Sequence, residues 1–167
     1  CDFCKVFYNK EYVNKYLEAL ELEIISNYKG ELITSLYIGG GTPSSLSLNE
    51  LEKLFSILKI FNLSKDCEIT IEANSDSLSL DKINLFKRYG VNRVSLGVET
   101  INEELQKTLE RKTSKDTVIN CINNLKRVGI TNINVDLIYA ILGETLEDLN
   151  NDLDFLLALD VPHISTY

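Results

Sequence analysis

Apolar positions recur along the chain in two alternating rhythms, one with the spacing of a helix face and one in short runs suited to buried strands. Residues 11–28 make the first helix-like stretch, with Tyr12, Tyr16, Leu20 and Ile24 four apart, Leu17 widening the stripe, and Gly30 closing it. Residues 32–38 read as a strand that runs directly into Gly39-Gly40-Gly41-Thr42-Pro43. Ser47 with Glu50 three positions on is a capping-box signature ahead of Leu51, Leu54, Phe55 and Leu58. The plan then repeats as strand 68–73, turn 74–77 and helix 80–88, followed by strand 91–98 and helix 102–109. A helix over 114–128 stopped by Gly129, a strand over 132–138, a helix over 145–159 and a strand from 161 to 167 complete the chain.

Strands that alternate with helices at this spacing predict parallel βαβ units: an α/β fold of about five strands. A parallel sheet is expected to bury both faces. A full (β/α)₈ barrel takes about 250 residues, so a chain of 167 residues predicts part of a barrel. No linker or low-complexity tract interrupts it, and residues 1–167 read as one core domain. A chain that starts at Cys1 and contains no Met is expected to be a fragment of a longer protein.

Composition narrows the function. The formal charge of −8, from 17 basic and 25 acidic residues, argues against non-specific binding to nucleic acid, which needs clustered Lys and Arg. No apolar run is long enough to span a bilayer. The expectation is a soluble, cytoplasmic protein, with room for peripheral membrane association. Cys1, Cys4, Cys67 and Cys121 form no disulfide framework, and Cys67 and Cys121 read as packing residues.

Chemistry in a parallel sheet gathers at the carboxyl ends of its strands, and unusual polar residues stand there. Gly39-Gly40-Gly41-Thr42 leaves backbone groups accessible to a ligand, or makes a flexible strand-to-helix turn. Glu72 alternates with Ile71 and Ala73, where a carboxylate needs a partner; a small-molecule hydroxyl or amine would serve, as would an adjacent loop N–H. Glu99 ends the next strand and suits a hydroxyl or a cation. Arg111 follows a short helix and can grip a carboxylate through paired donors. Asp136 interrupts an otherwise apolar strand, which ribose recognition, a metal or a buried ion pair would each explain. Arg93 and His163 read as structural. Cys1 and Cys4 have no second CxxC pair to complete a zinc site.

In combination these signals resemble a family. Cys1-Asp2-Phe3, Tyr37 to Pro43, Ile71-Glu72-Ala73-Asn74, residues 90–97, Asp136-Leu137-Ile138-Tyr139 and His163-Ile164-Ser165 occur in the order seen in radical S-adenosylmethionine proteins of the oxygen-independent coproporphyrinogen oxidase group, nearest its haem-chaperone branch. The resemblance implies a partial parallel barrel of the (β/α)₆ type with its first strand missing here. It implies a [4Fe-4S] cluster held by three cysteines of a CxxxCxxC motif, of which Cys1 matches the third. The other two cysteines, and a C-terminal domain, are expected outside this chain.

By the same resemblance Gly40, Gly41 and Thr42 would hold the methionyl part of S-adenosylmethionine, Glu72 a polar group of that cofactor, Arg111 its carboxylate, and Glu99 with Asp136 its ribose. The implied chemistry is reductive formation of a 5'-deoxyadenosyl radical, fed by an electron donor. The implied function is binding haem as cargo and passing it to acceptor haem proteins, respiratory ones among them. The alternatives are oxidative decarboxylation of coproporphyrinogen III propionates, or a non-catalytic remnant. Ser75 replaces a usual Pro, Glu99 a common Gln and Thr113 a frequent His, while Ala140 and Leu142 alter the family's Tyr-Gly-Leu-Pro stretch.

Overall fold

The structure, a computed structural model, describes residues 8–167. Cys1 and Cys4 therefore lie outside the described residues, and the cluster-ligand expectation for Cys1 with them. Helix α1 (Lys10–Asn27) begins at Asn9, whose side chain accepts from the Glu11 and Tyr12 amides. Leu17 is fully buried on it, with Val13, Leu20 and Ile24 packed alongside. Tyr12 and Tyr16 point outward, contrary to the four-residue stripe expected. Four residues advance about 400° around a helix, so each step drifts by about 40°, and only the mixed three- and four-residue spacing 13, 17, 20, 24 stays on one face.

Strand β1 (Leu32–Ile38), helix α2 (Leu48–Leu58), strand β2 (Asn62–Asn74), helix α3 (Leu80–Arg88), strand β3 (Arg93–Glu99), helices α4 (Glu103–Thr108) and α5 (Lys115–Val128), strand β4 (Asn132–Leu137), helix α6 (Leu146–Ala158) and strand β5 (His163–Thr166) follow. The strands pair in the order β1-β2-β3-β4-β5, every pair parallel. This is the partial barrel that the alternation predicts, with short α4 and longer α5 sharing one crossover. The predicted capping box forms at α2: Ser47 and Glu50 exchange bonds between side chain and amide. Gly129 adopts φ 84 at the end of α5, a left-handed conformation in which glycine has no Cβ to clash.

Among the strand boundaries that differ from expectation, two have clear local reasons. β2 starts at Asn62 because Leu32 and Ile33 pair with Asn62 and Leu63, after which the register jumps so that Ser35 meets Glu68. The polar stretch Ser64-Lys65-Asp66 within this irregularity hides the strand from a periodicity reading. β3 starts at Arg93, since Asn92 extends the ladder with its side chain, accepting from the Ile69 amide at 2.9 Å and donating to the Cys67 carbonyl at 2.8 Å.

The sheet has two unlike faces. On one, Ile38, Ile71, Val94 and Ile133 align in register, and Ala73, Leu96 and Val135 form the next row. These join Leu51, Phe55, Ile83, Phe86, Val118, Ile122, Leu125 and Leu156 of the helices in one core cluster. At the alternate positions the rows are Thr70-Arg93-Asn132, then Glu72-Ser95-Asn134-His163, then Asn74-Gly97-Asp136-Ser165. Both faces are buried in part, as expected of a parallel sheet, but the second, on the concave side of an incomplete barrel, is lined by polar residues, of which Thr70, Ser95 and Asn134 are buried. Cys67 and Cys121 are buried free thiols, as expected for packing residues. Among the described residues no helix is long and apolar enough to cross a membrane.

Candidate functional site

The site grows from the carboxyl ends of the polar rows. Glu72, near the end of β2, accepts from the Tyr37 hydroxyl at 2.8 Å and from the Gly40 amide at 3.2 Å. A side chain at Gly39 would come within 2.9 Å of the Tyr37 ring and 3.0 Å of the Glu72 carboxylate, so this approach depends on glycine. Gly40, at φ 122, and Gly41 face open space where a Cβ would stand. Thr42 bonds locally, its hydroxyl donating to the Gly41 carbonyl at 2.5 Å.

The next turn is tied down firmly. Fully buried Ser44 accepts from the Asn74 amide at 3.0 Å and shares a 2.6 Å bond with the Ser77 hydroxyl. The Lys82 ammonium donates to the carbonyls of Ser44 at 2.6 Å and Ser77 at 2.9 Å. Burial pushes the Lys82 pKa down, with the nearby Glu50 charge opposing it. The exits of β1 and β2 are therefore one fixed unit, while Gly40 and Gly41 stay open above it.

A second cluster spans β3, β4 and β5. Asn134, 2 % exposed, donates to Ser95 at 2.8 Å and to Asp136 at 2.8 Å, and accepts from Ser165 at 2.9 Å. Ser95 donates to the other Asp136 oxygen at 3.2 Å. Among the described residues Asp136 thus meets a hydroxyl and an amide donor. Tyr37 joins the two clusters: burial, its bond to Glu72 and the charges of Glu72 and Asp136 push its phenol to about 12, against a smaller opposing contribution from Ser95. It is therefore a proton donor at neutral pH. Lower on the same face, Arg93 donates to His163 Nδ1 at 3.0 Å. A guanidinium has no acceptor, so Nδ1 is the accepting atom of this bond.

The third part is an ion pair. The register shifts between Gly97 and Glu99, and Glu99 takes φ 69; such a bulge re-aims the side chain at its end. The Glu99 carboxylate lies 2.6 Å from Arg111, with the Glu99 side chain 13 % exposed and the Arg111 side chain 42 %. A side chain at Gly97 would meet Asn74 Oδ1 at 2.9 Å, so glycine is needed here as well.

The candidates thus fall into groups: Glu72 with Gly40, Glu99 with Arg111, and Asp136 within a hydrogen-bonded row, while Gly41 and Thr42 continue the open turn. Glu72 meets the loop N–H that its sequence context allowed for. Asn134, Ser165 and the bridging role of Tyr37 were missed. The polar alternation Asn132, Asn134, Asp136 was a readable signal for the first of these. Ser75 and Thr113, two departures from the family pattern, share a 2.9 Å hydrogen bond.

A sequence model of the radical SAM superfamily matches residues 1–156. The chain belongs to the radical SAM superfamily. The heme chaperone HemW of Lactococcus lactis is 39 % identical across all of the chain, which spans 44 % of that relative. The oxygen-independent coproporphyrinogen III oxidase of Escherichia coli is 30 % identical, again across the whole chain and 38 % of the relative. The solved structure of the Escherichia coli coproporphyrinogen III oxidase HemN superposes with a TM-score of 0.92 at 29 % identity, covering 99 % of this chain and 39 % of that one. The chain is thus closely related to this group and spans less than half the length of these relatives.

The strand-end residues fit the radical SAM cofactor by their donor chemistry. S-adenosylmethionine presents a carboxylate, an ammonium and ribose hydroxyls. The rim offers a half-exposed guanidinium, three carboxylates and an open glycine turn. The described residues supply no thiol for a cluster: Cys67 and Cys121 are buried, burial pushes the Cys121 thiol to about 12, and no metal-ligand group occurs among the described residues.

Proposed function

We propose that the rim of the polar face is an S-adenosylmethionine site, and that the chain is the cofactor-binding core of a radical SAM protein that handles a tetrapyrrole. The observation that carries this reading is the arrangement of Glu72, Asp136 and the Glu99–Arg111 pair around one rim of a sheet whose concave face is polar. Arg111 reaches Glu99 through Nη2, and a guanidinium carries five N–H donors, so its fork can also serve a ligand carboxylate. Asp136 retains acceptor capacity for ribose hydroxyls, and Glu99 sits where it would serve the same ribose. Glu72, fixed by Tyr37, keeps the Gly40 turn in place for the methionyl group.

Cys1 matches one ligand of a [4Fe-4S] cluster by the resemblance, and two others are expected upstream. When bound, cluster and cofactor supply one-electron reductive radical chemistry. This chain's residues bind, orient and exclude water. A non-catalytic cofactor-binding or structural remnant would instead form no reducible cluster even as the full-length protein.

Two readings of the whole protein follow. Oxidative decarboxylation of coproporphyrinogen III propionates is supported by the likeness to the HemN structure over nearly the whole chain. Haem binding and delivery to acceptor haem proteins in the cytoplasm is supported by the higher identity to HemW chaperones, 39 % against 30 %. The test is anaerobic incubation of the reconstituted full-length protein with S-adenosylmethionine, a reductant and coproporphyrinogen III, beside a haem-transfer assay to an apo-acceptor. Vinyl-bearing product supports the first reading; haem transfer without product supports the second. Neither outcome in a protein that binds S-adenosylmethionine would overturn both.

A further inference from the structure

The guanidinium of Arg111 is partly exposed, so packing of its own side chain does not fix where it stands. The backbone beneath it does, and that backbone converges on Gln106, a polar residue 5 % exposed. Helix α4 ends in a left-handed turn with Glu110 at φ 54. The Arg111 amide donates to the Gln106 carbonyl at 2.8 Å and the Glu110 amide to the Lys107 carbonyl at 3.1 Å, the two bonds that close a Schellman motif. The side chain of the same glutamine reaches in both directions: its Oε1 accepts from the Thr113 amide at 3.1 Å, and its Nε2 donates to the Thr100 carbonyl at 2.9 Å. Thr100 is 1 % exposed and adjoins Glu99. One buried amide thus spans the segment that carries Glu99 and the loop that carries Arg111. The loop is tied further by Thr113 to Ser75 at 2.9 Å and to Asp76 at 3.1 Å.

We infer that Gln106 is a positioning residue: it touches no ligand, and it sets Arg111 against Glu99 so that the guanidinium meets the carboxylate of S-adenosylmethionine. The inference rests on the rim being the S-adenosylmethionine site. Buried donors and acceptors that lose their partner cannot recover it from water. Gln106→Leu keeps the bulk but frees the Thr100 carbonyl and the Thr113 amide. Gln106→Glu keeps the acceptor for Thr113 and, when ionised, sets an oxygen against the Thr100 carbonyl.

The test is calorimetric titration of the full-length protein with S-adenosylmethionine and with its decarboxylated analogue, for wild type, Arg111→Ala, Gln106→Leu, Gln106→Glu and the Arg111→Ala/Gln106→Leu double variant. The expected result is a loss of about tenfold or more for S-adenosylmethionine in Gln106→Leu, with little change for the decarboxylated analogue. The double variant should bind no more weakly than Arg111→Ala, because both changes remove one interaction. Gln106→Glu, close in shape to the native residue, should approach wild-type affinity as pH is lowered and its carboxyl regains a donor. General destabilisation would weaken both ligands alike. Arg111→Ala losing carboxylate discrimination while both Gln106 variants retain it would overturn the inference alone. Arg111→Ala retaining it would overturn the reading of the site, and the inference with it.

Discussion

The two faces of the single sheet are made by the same strands at alternate positions, yet different forces shape them. On the helix-covered face Ile71, Val94, Leu96, Ile133 and Val135 are almost wholly buried and pack with the helices into one cluster. On the concave face the same strands present Glu72, Ser95, Asn134, Asp136 and Ser165, held by hydrogen bonds of 2.8 to 3.2 Å. Apolar burial stabilises in proportion to area and is indifferent to direction. Hydrogen bonds contribute modestly in net terms but fix atoms in place. One face therefore carries stability, and the other carries geometry.

The contrast is broken most directly from the helix side. Ile133→Ala, at a position with no exposure, is expected to cost about 2–5 kcal/mol in urea denaturation. Ser95→Ala, one strand away on the concave face, is expected to cost about 1 kcal/mol. Equal losses would mean that the polar face is core after all. Lys82→Met removes the bonds to the Ser44 and Ser77 carbonyls, and a loss of about 1–3 kcal/mol is expected, with faster amide exchange at Asn74. No change in exchange there would show that the two strand exits hold together without the lysine.

The α/β alternation, the parallel pairing and the capping box of α2 were legible because each is written in local spacing. The concave face was legible residue by residue but not as a face: Glu72 and Asp136 stood out as anomalies, whereas Asn134, Ser165 and Tyr37 take their meaning from register between strands distant in sequence. The Glu99–Arg111 pair needs a bulge and a left-handed residue, neither of which composition reveals. Tyr12 and Tyr16 misled because four-residue spacing drifts off a helix face. The β2 start was hidden because polar residues fill its irregular stretch.

Smaller effects sharpen the same contrast. Glu110 holds a left-handed conformation at φ 54, where glycine is favoured, so Glu110→Gly is expected to raise stability by up to about 1 kcal/mol in the same urea assay; a loss would mean that the Glu110 side chain outweighs its backbone strain. Tyr37 donates to Glu72 across the neutral range. Its folded-state pKa of about 12 lies above the ordinary value of 10.0, so its contribution is fully present below pH 10 and is lost as pH rises toward 12. Ultraviolet titration should show a late phenolate transition that Tyr37→Phe removes. Its persistence in that variant would assign the late transition to another tyrosine.

The central claim is that the rim of the concave face holds S-adenosylmethionine. Its most direct test is electron paramagnetic resonance of the anaerobically reconstituted, reduced full-length protein, titrated with S-adenosylmethionine in wild type and in Asp136→Ala and Arg111→Ala. The account predicts a [4Fe-4S] signal that changes on cofactor addition in the wild type, with the change displaced to much higher cofactor concentration in both variants while the cluster signal itself is retained. A change that occurs at the same concentration in all three proteins, or no change in a wild type that carries its cluster, would contradict it.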